Sequence, residues 1–206
     1  MAAKIAIINT STRPVRVGPS VTAFVKELLE KADSSANITT VDVADFNLPV
    51  FDEPVAPAMV PAMAQFTKDH SKAWSAEIAK YDAYIIVANE YNFGMSGSTK
   101  NAIDFLYNEW IGKPIYIVTY GIMGATNASE QLKAVLTGMK LKVVETRPNL
   151  GFHGAQAGPD MYGAIKGELG EASKKDWETE KKEELVKGFT ELKELLASPP
   201  KAEAVA

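Results

Sequence analysis

Short apolar runs alternate with amphipathic, helix-period segments from Lys4 to about residue 150, and this alternation predicts an α/β fold. Two further observations sharpen the prediction. The clearest run, Tyr84-Ile85-Ile86-Val87, is apolar throughout, the pattern of a strand covered on both faces of a parallel sheet. Parallel neighbours also need long crossovers, and the segments between runs are long enough to be helices. Because such crossovers are right-handed, the expected architecture is an open, doubly wound sheet with helices on both faces.

Each element has its own signal. Lys4–Asn9 reads as the first buried strand. After a polar loop, Val21, Phe24, Val25, Leu28, Leu29 and Ala32 fall on one stripe of an amphipathic helix. Ile38–Val43 alternates like a strand near a sheet edge, and Asp45–Pro61 is a loop rich in proline and acid, followed by a helix to about Lys80. Asp82–Ala88 is the central strand. Its helix is Ser98–Trp110, with Ala102, Ile103, Phe105 and Leu106 inward. Strand Pro114–Thr119 follows, then a helix marked by Leu132, Val135, Leu136 and Met139, then a last strand at Leu141–Glu145. Five parallel strands in this order suggest the flavodoxin-like topology. Gly151–Gly170 is weakly patterned and reads as surface loop. Ala172–Ala197 reads as a charged helix with Leu185, Val186, Phe189, Leu192, Leu195 and Leu196 on its apolar side. Residues 1–197 are expected to form a single domain and 198–206 a flexible tail.

Composition removes several functional classes. Of 206 residues, 46% are hydrophobic and 23% charged, which does not fit a disordered, collagen-like or coiled-coil chain. The absence of cysteine excludes disulfide scaffolds, thiol nucleophiles, iron–sulfur ligation and the usual structural zinc sites. A net charge of −4 provides no basic field for nucleic acid or anionic lipid. The apolar run near Met1 is too short for a signal-peptide core, and none approaches the ~20 residues that span a bilayer, so a cytoplasmic protein is expected. His70 and His153 are far apart in sequence, and no metal site is expected. Gly94-Met95-Ser96-Gly97-Ser98 lacks the Gly-x-Ser-x-Gly spacing of a nucleophile elbow, which disfavours a Ser96–His153 hydrolase.

In an open α/β sheet, ligands sit outside the carboxyl ends of the strands where strand order reverses, so three loops matter. The first, Thr10–Ser20, combines hydroxyls, a helix start and two of the chain's three arginines, Arg13 and Arg16. A solvated arginine pair in a turn would read the same way. The choice of Arg twice in a chain that otherwise prefers Lys favours a phosphate site, since guanidinium forks match phosphate oxygens. Neither a Gly-Lys-Ser/Thr nor a Gly-x-Gly-x-x-Gly pattern is present, so a monoester is favoured over a pyrophosphate. The second loop, Asn89–Asn101, offers an aromatic, amides and glycines, with Ser98 as the expected helix cap. The third, Tyr120–Asn127, offers backbone and an aromatic. No loop gathers an acid, a base and a nucleophile, and no catalytic residue is assigned. Arg147, the remaining arginine, fits either a nicotinamide-cofactor phosphate or a surface ion pair.

Four motifs, in order across roughly residues 4–150, resemble those of the NADPH-dependent FMN reductase family, which includes quinone, azo-dye and chromate reductases. They are Ser11-Thr12-Arg13 with Arg16; Leu48-Pro49-Val50-Phe51-Asp52; Glu90-Tyr91-Asn92 with Gly97 and Lys100-Asn101-Ala102-Ile103-Asp104; and Thr119-Tyr120-Gly121 with Gly124. Thr10 and Ala125 stand where that family has glycine, Asn89 and Ser96 where it has proline, and Thr99 where it has leucine. The resemblance implies FMN as cofactor, with Ser11, Arg13 and Arg16 on its phosphate and Val17 bordering the ribityl chain. It implies Glu90, Tyr91 and Asn92 at the isoalloxazine edge, and Tyr120, Gly121 and Gly124 on the other side of the ring. The implied activity is two-electron transfer from NADPH or NADH to a quinone, flavin or similar acceptor by a ping-pong mechanism. A homodimer or higher homo-oligomer is implied, with Asp45–Pro61 a candidate for its boundary. An electron carrier or flavin-sensing interaction protein without NAD(P)H turnover is the competing reading.

Overall fold

A computed structural model describes residues 3–198; the expected tail beyond Ser198 lies outside the described residues. Strands β1 (Lys4–Asn9), β2 (Asn37–Asp42), β3 (Ala83–Tyr91), β4 (Gly94–Met95), β5 (Pro114–Gly121), β6 (Lys142–Val143) and β7 (Asn149–Gly151) build one sheet. The order is β2-β1-β3-β5-β6, all parallel; β4 adds antiparallel to β3, and β7 pairs β5 further along the same edge. The edge position expected to be one strand at Leu141–Glu145 is therefore two short ones. Pro148 cannot donate to a ladder, and the backbone N–H of Thr146 turns aside to the Glu191 carboxylate at 2.9 Å.

Alternation along the buried strands feeds two apolar layers. Ile5, Ile7, Ile85, Val87, Tyr116, Val118 and Tyr120 face helix α1 (Gly18–Ala32) and the C-terminal helix, whereas Ala6, Ile8, Tyr84, Ile86, Ala88, Ile115 and Ile117 face the opposite side. That opposite side carries α2 (Asp69–Ile78), α3 (Gly97–Asp104) and α4 (Thr126–Gly138) through Trp74, Ile78, Ala102, Ile103, Leu132 and Leu136.

Three expected elements differ. Helix α3 ends at Asp104 rather than Trp110; past it Asn108 Nδ2 bonds the Val60 carbonyl at 2.6 Å, and Trp110 is buried from a turn closed by Gly112 at φ +74°. Helix Ala172–Ala197 is broken into α6 (Glu171–Asp176) and α7 (Lys182–Ala197) by a π turn at Trp177, whose indole is buried and donates to the Gly151 carbonyl at 2.6 Å. The stretch expected to be surface loop, Gly151–Gly170, contains α5 (Pro159–Ile165), seated by buried Phe152, Asp160 and Ala164. Its glycines hid it: seven residues are too few for a periodic signal.

Candidate functional site

The first loop leaves β1 where strand order reverses, between β1 and β3. It is pinned to β2. Arg16 places a two-armed fork on Asp42, with both nitrogens 3.0 Å from the carboxylate oxygens, and one arm also bonds the Ser11 carbonyl at 2.6 Å. Asn9 and the Ala44 N–H complete the acceptor set of Asp42. The sequence reading put both arginines on a phosphate; the structure gives the Arg16 fork to Asp42. Arg13 is exposed and forms no ion pair among the described residues. Helix α1 starts with no side-chain cap and no acid in its first turn, so its end N–H groups are open to an anion.

Beneath α1, polar side chains pack tightly. Ser11 Oγ donates to Asn9 Oδ1 at 3.0 Å, and burial pushes the Tyr120 phenol up to about 12, an effect the neighbouring Ser11 hydroxyl moderates. A β carbon at Gly18 would collide with Ser11 Oγ, Asn9 Oδ1 and the Tyr120 hydroxyl, so only glycine lets the helix approach this closely.

The second loop forms a hairpin from β3 to β4, with Glu90 opposite Met95 and Tyr91 opposite Gly94. Asn92 and Phe93 turn the corner at φ +49° and +63°, as a two-residue hairpin requires. The hairpin is tied to α4: Glu90 Oε2 accepts the Ala128 N–H at 2.9 Å, and Gln131 Oε1 accepts the Met95 N–H at 3.0 Å. Glu90 thus caps α4, satisfying an end donor that Ala125, in the cap position at φ +66°, cannot. The cap of α3 is Ser96, not the expected Ser98; Ser98 instead donates to the Thr10 carbonyl at 2.8 Å, tying the second loop to the first.

These loops enclose a cavity of about 170 Å³ lined by Ser11, Arg13, Arg16, Val17, Asn89, Glu90, Tyr91, Tyr120, Gly121, Ile122, Phe152, Met161, Ala164 and Ile165. Eight of the ten residues singled out in the sequence line it together. Asn92 sits at the exposed hairpin tip, and Gly124, at φ +87° with Asn149 against it, shapes the third loop from behind. Sequence reasoning missed Asn89, Ile122, Phe152 and the α5 residues. Asn89 has a legible signal, a polar residue ending the most apolar strand; Met161, Ala164 and Ile165 have none.

Other sequence candidates lie elsewhere. Arg147 bonds the Ser129 carbonyl and hydroxyl and pairs with Glu130 at 2.8 Å, the ion-pair alternative. His153 pairs with Asp176 at 2.6 Å and Ser96 with the α3 terminus, so no Ser96–His153 pair exists. His70 bonds Asp52 at 2.9 Å and packs edge-on against Phe105.

Residues 3–154 match the model of the NADPH-dependent FMN reductase family. The chain belongs to that family. It is 53% identical over 201 residues to the NAD(P)H-dependent FMN reductase ntnL of Nectria sp., covering 96% of this chain and 98% of the relative. An NAD(P)H-dependent FMN reductase of Schizosaccharomyces pombe is 38% identical over 147 residues, 71% of this chain and 72% of that one. Among solved structures, the flavoenzyme FerB, an NAD(P)H:(acceptor) oxidoreductase from Paracoccus denitrificans, superposes with TM-score 0.65 at 18% identity, covering 94% of this chain and 97% of the other; this likeness supports the flavodoxin-like fold.

The cavity fits the cofactor of an FMN reductase family member. Arg13 supplies a free guanidinium beside an uncapped helix end, and buried Asn89 carries an amide with neither nitrogen nor oxygen bonded. Its enclosed volume is below the ~300 Å³ at which ligand clefts usually begin, so a whole FMN extends beyond the part that α5 covers.

Proposed function

We propose that this FMN reductase family member is an FMN-dependent oxidoreductase that carries two electrons from NADPH or NADH to a quinone, flavin or similar acceptor. The observation that carries this reading is the convergence of three loops, at the strand-order reversal, on one cavity whose lining includes the Arg13 guanidinium and the aromatic residues Tyr91, Tyr120 and Phe152. Bound FMN supplies the redox chemistry. The chain's own residues bind and orient it. Arg13, the Ser11 loop and the α1 terminus meet the phosphate, and Val17 borders the ribityl chain. Tyr91, Tyr120 and Gly121 flank the ring. Arg16 and Glu90 act through others, the first by fixing the phosphate loop on Asp42 and the second by fixing the hairpin on α4.

One open face of the ring visited in turn by donor and acceptor gives ping-pong kinetics. Residues 1–197 are treated as a single FMN-binding domain because both apolar layers share one sheet. No described helix is long and apolar enough to cross a membrane. A cytoplasmic homodimer completes the proposal, with the 45–61 loop at its boundary; this is supported by Val50 and Met59, which are 87% and 75% exposed on that loop. The deciding experiment is a visible absorption spectrum of purified protein before and after anaerobic NADPH or NADH. Rapid loss of the yellow oxidised-flavin band, restored by a quinone, is expected. A flavin band that persists under both donors would leave only the carrier reading.

A further inference from the structure

The Asn89 side chain is a buried polar group that no described residue satisfies. The residue is 5% exposed, yet its side-chain nitrogen and oxygen lack any hydrogen-bond partner among the described residues. Its backbone is used, pairing with Tyr120 in the ladder and accepting the Ser96 N–H at 3.3 Å. Buried amides are nearly always bonded, because an orphaned donor or acceptor forfeits its bonds to water. A sequence keeps such a group where a ligand completes it.

Where the amide points narrows the ligand. Asn89 follows Val87 by two residues, so it faces the same side of the sheet, and its partner across the ladder is Tyr120 on β5. It lines the same cavity as Ser11 and Arg13 of the first loop and as Tyr91 and Gly121, which are proposed to flank the ring. Two neighbouring polar groups are already committed: Ser11 Oγ to Asn9 and Glu90 to α4. An amide left with both a donor and an acceptor calls for a partner that is also both, and an alcohol is such a group.

We infer that Asn89 is a cofactor-binding residue whose amide hydrogen-bonds the hydroxyls of the ribityl chain, in the stretch between phosphate and ring. The inference rests on the reading of this cavity as the FMN site. Asn89 stands where a proline is usual in the resembling motif, and proline offers no side-chain hydrogen bond, so the contact is a property of this chain's own second loop.

The test compares three flavins on deflavinated protein, with dissociation constants from flavin fluorescence: FMN, riboflavin, and lumiflavin, which has the ring without the chain. Asn89→Leu keeps the volume and removes the amide. It is expected to weaken FMN and riboflavin by up to about tenfold each and leave lumiflavin unchanged. An equal loss for lumiflavin would assign the amide to the ring, and no loss for any flavin would make it a structural or water-satisfied group; either overturns the inference. If Asn89→Leu does not fold, wild-type protein carries the test, with riboflavin set against a flavin bearing an unhydroxylated five-carbon chain: equal affinities overturn it, and weaker binding of the alkyl flavin supports it. Failure of the cavity reading itself is distinct, since the wild type would then bind none of these flavins.

Discussion

Arg13 and Arg16 lie three residues apart, yet the structure gives them different work, and substituting each separates binding from scaffolding. Arg13 makes no ion pair among the described residues, so its loss is expected to cost the free protein little; the cost falls on the complex with a phosphate. A charge-assisted hydrogen bond is worth roughly 1.5–3 kcal/mol. Arg13 is exposed, and solvent screening sets the expectation at the lower end, about 1.5 kcal/mol or roughly tenfold in FMN affinity. Riboflavin lacks the phosphate and should bind Arg13→Ala as it binds the wild type. Arg16→Ala removes the fork on Asp42 and the bond to the Ser11 carbonyl, from side chains only 18% and 21% exposed. It should lower the melting temperature by several degrees, at about 2–4 °C per kcal/mol for a chain of this size, and weaken FMN and riboflavin together. Fluorescence titration with both flavins at two salt concentrations, beside thermal melts, measures all of this; FMN binding to Arg13→Ala should also be the less salt-sensitive. If Arg13→Ala keeps the wild-type ratio of FMN to riboflavin affinity, the division of labour is wrong. So it is if Arg16→Ala loses that ratio with an unchanged melt, because Arg16 would then leave Asp42 for the phosphate.

Gly18→Ala drives a methyl group into Ser11, Asn9 and the Tyr120 hydroxyl, and overpacking of this kind costs about 1–3 kcal/mol; a lowered melt with weaker binding of both flavins is expected, and an unchanged melt would contradict the packing. Burial alone would raise the Glu53 carboxyl, but hydrogen bonds from the Thr67 hydroxyl and N–H and from the Lys68 N–H outweigh it and hold it at about 2. A depressed value stabilises the fold above the ordinary 4.5, and that contribution fades as pH falls toward 2; Glu53→Gln should therefore flatten the acid limb of a pH–stability curve. The hydrogen bond to Asp176 raises His153 above its ordinary 6.5, so this pair helps stability at low pH and its contribution disappears as pH rises through the raised value. An NMR titration of His153 should shift downward in Asp176→Asn, and an unmoved titration would remove the pair.

The sheet was legible because its strands carry unbroken apolar runs and its helices single apolar stripes. Those signals depend on burial that the sheet enforces. The failures were where local chemistry overrode period. Asn108 and Gly112 end α3 early, Trp177 breaks the C-terminal helix by plugging its indole onto Gly151, and α5 is too short to show a stripe at all. At the site, the motifs identified the loops but not what each side chain does there. Arg16 and Glu90 line the cavity but also tie to Asp42 and the α4 terminus, partners distant in sequence. Nothing in the order of residues announces a contact of that kind.

The departures from the family motif make physical sense once they are placed together. Thr10, Ser96 and Thr99 are separated in sequence, yet Thr99 Oγ1 bonds Thr10 Oγ1 at 2.7 Å and Ser96 Oγ at 2.8 Å, while Thr10 also reaches the Val87 carbonyl. A glycine, a proline and a leucine could form none of these side-chain bonds. Hydroxyls therefore do locally what a rigid proline and an apolar contact would do, holding the second loop against the first. All three residues are buried, so each substitution made alone would orphan a partner, and they must be exchanged as a set. Ala125 is absorbed differently: it takes the left-handed turn itself at φ +66°, and Glu90 supplies the missing cap. Four of the five departures thus find their compensation inside the protein. Asn89 is the one that does not: no described residue bonds its amide, and the residue lines the cavity proposed for the cofactor.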